Sequence, residues 1–85
     1  MYAGSCRTTK TVNNEEVNVL SFEHVDGRFS LVGGLRGKKI RIPAEKDEVL
    51  AAVKLGFEWW KPTDRLFPVI EEQYRNDIAF LESVA

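Results

Sequence analysis

The sequence predicts an α+β fold: an antiparallel meander of three or four strands followed by two α-helices packed on one of its faces. Three observations lead there. Asp26-Gly27 and Arg36-Gly37 each read as a two-residue hairpin turn between stretches suited to strands. The registers that the two turns impose agree on a single apolar face. After Pro43 the spacing of apolar residues changes from two to three and four, which marks a switch from strand to helix.

The first turn sets Val25 opposite Arg28, His24 opposite Phe29, Glu23 opposite Ser30 and Phe22 opposite Leu31. Side chains alternate along a strand, so Leu20, Phe22, His24, Phe29 and Leu31 share one face. The second turn sets Leu35 opposite Lys38, Gly33 opposite Ile40 and Leu31 opposite Ile42, which adds Ile40 and Ile42 to that face. The other face then carries Val19, Ser21, Glu23, Arg28, Ser30, Val32, Lys39 and Arg41. With Arg36 and Lys38 at the turn, it is polar with a basic corner, as a sheet solvated on one side requires. The charges also shield an edge strand from sheet-to-sheet pairing.

Upstream, the threonines and Val12 in Cys6 to Val12 have strand propensity, and Asn13-Asn14 is turn-like. This stretch is the candidate fourth strand beside Val17 to Val25. Glycines 33, 34 and 37 lack the spacing of a phosphate-binding loop, and a bulge or bend near the turn explains them. Downstream, Val49, Val53, Gly56, Phe57 and Trp60 form the stripe of a helix over about residues 45 to 61. Glu45, Asp47 and Glu48 lie at its start and Pro62 stops it. Gly56 in that stripe points to close packing against the sheet or the second helix. Trp60 follows the stripe inward, while Trp59, about 100° away, falls on the flank with Leu55 and Ala52. Pro68 is tolerated only in a first turn, so the second helix begins near Phe67. It offers Ile70, Tyr74, Ile78, Leu81 and Val84 to the core, with Asp77 intruding near the edge of the stripe.

Eighty-five residues, 44% hydrophobic and 29% charged, make one domain, residues 1–85, with a core small enough that a partner or a second copy would add stability. A homodimer is therefore open. No apolar run spans a bilayer and no apolar leader opens the chain, so a cytoplasmic, membrane-free setting is expected. Its one cysteine, Cys6, allows no internal disulfide. The net charge of −1 conceals a dipole. Residues 1–44 hold seven Lys/Arg against four Asp/Glu, and residues 45–85 hold five against nine.

Chemistry is sparse. One His and one Cys give no zinc pattern and no evident Cys/His pair, and no carboxylate is tied by spacing to a site that would raise its pKa. No cofactor, metal or catalytic residue is expected, and the chain is read as a non-enzyme. His24, on the inner face beside a turn, reads as structural.

The order of two hairpins followed by a helix, over about Val17 to Trp60, resembles the topology of AP2-type and integrase arm-type DNA-binding domains. Those domains carry several Arg and aromatic residues on the sheet face. This face has few aromatics and includes Glu23. The expected function is therefore a small protein-binding module, a regulator or inhibitor of the kind phages and mobile elements encode, that occupies a partner protein's surface. The alternative is nucleic-acid binding through the basic sheet face. Candidate partner-binding residues are Trp59, as an aromatic anchor, and Arg36, Lys38, Lys39 and Arg41 at the basic corner.

Overall fold

A computed structural model describes residues 1–84 of the chain. The strands β1 (Tyr2–Val12), β2 (Glu15–Val25), β3 (Arg28–Leu35) and β4 (Lys38–Ala44) precede the helices α1 (Lys46–Glu58) and α2 (Phe67–Ser83). The strands form one antiparallel sheet in the order β1-β2-β3-β4. This is the α+β architecture expected, with the fourth strand present.

Three turns of one kind set the meander. Asn13-Asn14, Asp26-Gly27 and Arg36-Gly37 each have positive φ at both central residues, between 51° and 77°, the geometry whose twist matches that of a hairpin. Gly tolerates that region freely and Asn and Asp do so better than most residues, so the sequence marks Asn13-Asn14 and Asp26-Gly27 directly, whereas the third turn is marked by Gly37 alone and holds Arg36 at a φ of 54°. Both expected registers hold near their turns: Phe22 lies opposite Leu31, Leu31 opposite Ile42 and Gly33 opposite Ile40.

Further from the first turn the register departs from strict alternation. Ser21 pairs with Val32 but Val19 pairs with Gly33, so Leu20 is an extra residue against β3. On its other side, Ser5 pairs with Ser21 and Thr8 with Val19, which leaves Cys6 and Arg7 together opposite Leu20. The two irregularities meet at one point and make a bulge that crosses β1 and β2. A bulge shifts the alternation by one residue. Val17 and Val19 therefore turn inward and are fully buried, together with Phe22 beyond the bulge, while Leu20 is 64% exposed. The expectation that Leu20 belongs to the core face and Val19 to the polar face is corrected accordingly.

The core is a single cluster built on Val17, Val19, Phe22 and Leu31 of the sheet, Val49 and Val53 of α1, and Leu81 of α2. Val32 is also buried, although its position lies on the face away from the helices. Gly56 shows why α1 sits where it does. A Cβ there would lie 3.0 Å from the Arg7 backbone nitrogen and 3.2 Å from the Cys6 carbonyl carbon, so the helix rests directly on the bulge. The close packing expected at Gly56 is thus against the sheet.

Helix α1 ends earlier than its apolar spacing implies. Its last backbone bonds shorten to i→i+3, from Trp59 N–H to Gly56 and from Trp60 N–H to Phe57. Pro62 disfavours helical backbone at the residue before it. The Asp64 carboxylate then accepts the Lys61 N–H at 2.8 Å and fixes a turn. Trp60 consequently leaves the helical stripe and is 37% exposed, a correction to its expected place in the core. Helix α2 begins at Phe67 with Pro68 in its first turn, as expected.

Candidate functional site

Leu20, forced outward by the bulge, is the centre of an open apolar surface. It lines two adjoining grooves. One also includes Leu55 and Trp59 with Thr8, Thr9 and Asn18; the other includes Phe57, Trp60, Ile70 and Tyr74, with Asp77. Leu55 and Trp59 are 42% and 61% exposed. The Arg7 guanidinium lies 4.4 Å from the centroid of the Trp59 ring, a cation–π contact that steadies an otherwise solvent-facing indole.

The second groove has a volume of about 220 Å³ and a buried acid in its wall. Asp77 is 1% exposed. Its Oδ1 accepts the Tyr2 hydroxyl at 2.6 Å and the Gln73 Nε2–H at 2.8 Å, and its Oδ2 accepts the Ser5 N–H at 3.4 Å. Burial pushes the Asp77 carboxyl above its ordinary pKa, and the three donors pull the other way. The same burial, reinforced by the charge of Asp77, raises the Cys6 thiol to about 12. Burial and then the hydrogen bond to Asp77 raise the Tyr2 hydroxyl to about 12. Both shifts favour the neutral form, and Cys6 is a buried member of the core. The bottom of the site is held by stacking: Tyr2 lies 3.9 Å from Phe80 between ring centroids, and Phe57 lies 4.2 Å from Tyr74. His24 packs between Phe29, in a tilted contact at 4.5 Å, and Phe80, edge to face at 5.4 Å.

The basic residues singled out from the sequence lie elsewhere. Arg41 pairs with Glu23 at 3.0 Å, diagonally across β3, and Arg36 pairs with Glu15. Lys38 and Lys39 are exposed and make no ion pair among the described residues. Lys39 stands in the cross-strand row Thr9–Asn18–Gly34–Lys39, three strands and so about 14 Å from the β1 edge where Trp59 sits. The structure does not bring Trp59 and the basic corner into one site. It instead joins Trp59 to Leu20, Leu55 and Arg7, and it builds Asp77, Tyr2 and Gln73 into a cluster with Ser5. The signal for that cluster was an acid near the edge of an apolar helical stripe; Gln73 lies one turn away on α2, but Tyr2 and Ser5 come from β1, more than 70 positions away.

Among the described residues there is no group of three His, Cys, Asp or Glu side chains arranged to hold a metal ion, and no helix long and apolar enough to cross a membrane. No family model, curated protein or solved structure matches the chain, so its function is argued from its own geometry.

Proposed function

We propose that the chain is a non-catalytic protein-binding module that seats an apolar segment of a partner protein on the surface around Leu20, Leu55, Trp59 and Trp60. The observation that supports this most is the bulge. It exposes a leucine in mid-strand beside two exposed tryptophans, and such contiguous apolar surface is characteristic of interaction sites. For its 9.7 kDa the chain exposes a large surface, 6100 Å², as its flat shape of 38 × 29 × 18 Å requires. A regulator or inhibitor that works by occupying a partner's surface needs only this.

The nucleic-acid reading loses support from the same geometry. Two of the four cations at the basic corner are already engaged by Glu23 and Glu15. Contact with the remaining few phosphates would be weak and steeply dependent on salt.

The experiment is affinity capture from a nuclease-treated extract with the native chain, Leu20→Asp, Trp59→Ala and a Lys38→Glu/Lys39→Glu variant. Capture of a defined protein by the native chain and the lysine variant, but not by the two apolar-surface variants, is expected. Loss of capture on nuclease treatment, or only in the lysine variant, would favour nucleic acid. Concentration-dependent dimerisation abolished by Leu20→Asp, with nothing captured, would make the partner a second copy.

A further inference from the structure

We infer that the groove beside Asp77 receives one alkylammonium side chain, a lysine projecting from the partner segment, with the Asp77 carboxylate as its acceptor. This rests on the protein-binding reading and adds the chemistry by which a partner would be recognised.

Among the described residues, Asp77 is the one buried charged residue in the core, and no cation is paired with it. The ion pairs among the described residues join Lys10 to Glu48, Arg36 to Glu15, Arg41 to Glu23 and Arg75 to Glu71; none reaches Asp77. Arg7, the only basic side chain lining the groove, lies over Trp59 instead. A buried carboxylate without a counter-charge is costly, and neutral donors relieve that cost only in part. Asp77 forms part of the groove wall at 1% exposure, so a counter-charge can reach it only from a cation seated in the groove itself.

The walls suit an ammonium on an apolar stem. Phe57, Tyr74 and Trp60 line the groove; Phe57 and Tyr74 stack on each other and offer their edges and remaining surface to methylenes, while an indole face such as that of Trp60 attracts cations. Acceptor capacity separates lysine from arginine. Oδ1 already takes two hydrogen bonds, whereas Oδ2 takes only the long one from Ser5. One oxygen with spare capacity matches a point-like ammonium better than a guanidinium fork, which needs two parallel acceptors.

The test is a titration of the intact protein with n-butylammonium, n-butylguanidinium and the neutral isostere n-butanol, followed by the amide resonances of Cys6 and Gly56 and the indole resonance of Trp60. Saturable binding of the ammonium is expected, about 10-fold or more tighter than butanol, the factor contributed by one modest charge-assisted bond. Asp77→Asn should abolish that preference, while Trp59→Ala and Lys38→Glu should retain it. Equal binding of ammonium and butanol, tighter binding of the guanidinium, or no binding at all overturns the assignment. The comparison of probes on the native protein decides the matter even if Asp77→Asn fails to fold. If a captured partner still binds Asp77→Asn but not Leu20→Asp, the lysine inference fails and the protein-binding reading stands; loss of neither sinks the reading itself.

Discussion

At the scale of single residues, the buried acid and the exposed indole make opposite predictions. The folded-state pKa of Asp77 is raised by burial, so the native state holds its proton more tightly than the unfolded chain does. Stability arising from that proton is fully present below the unfolded carboxyl value, near 4, and is lost as pH rises through the higher folded value. The stability of the native chain relative to Asp77→Asn should therefore increase as pH falls from neutral toward about 4, which urea unfolding at several pH values will measure. A flat difference would mean that Asp77 is not desolvated. Trp59 is largely exposed, so Trp59→Ala should cost at most the ~0.5–1 kcal/mol of its contact with Arg7. Phe22→Ala and Leu31→Ala, at fully buried positions, should each cost roughly 2–5 kcal/mol, while Ser30→Ala on the other face stays within about 0.5 kcal/mol. Phe22, Leu31 and Ile42 were legible because they lie within a few residues of a turn that fixes their register. The environment of Asp77 was not, because the Tyr2 hydroxyl and the Ser5 amide reach it only once β1 has docked beside α2.

At the scale of elements, the hairpins were written into local sequence and the bulge was not. A two-residue turn needs positive φ, and the residues that tolerate it are few. A bulge needs only one extra residue, and nothing in VNVLSF distinguishes Leu20 as the one displaced. The decision is made by packing: the shift buries both Val17 and Val19 and gives α1 a seat at Cys6–Arg7. Gly56 tests that seat. In an ordinary exposed helix, alanine would stabilise this position by about 1 kcal/mol over glycine. Here the added Cβ meets the backbone of the bulge, so Gly56→Ala should lower the thermal midpoint. A higher midpoint would show that α1 does not rest on β1. The early end of α1 has a similar origin: periodicity carried the stripe on to Trp60, but the tightened final turn and the Lys61–Asp64 turn before the second helix take the tryptophan out of it.

At the scale of the molecule, a flat body of 38 × 29 × 18 Å has helices on one face of its sheet and an apolar opening at the β1–β2 bulge. The sequence pointed to a protein partner through Trp59, yet it set that residue alongside a basic corner that the fold keeps at the far edge of the sheet. Charge and aromatic content are readable residue by residue; whether they share a site depends on strand order and helix placement. On the proposed reading, partners dock on the bulge and not on the basic corner. Hydrogen–deuterium exchange of the chain, alone and with the captured partner, tests it most directly. Protection is predicted in residues 18–20 and 55–60, with residues 36–41 unchanged. Protection confined to residues 36–41 would place the partner on the basic corner instead.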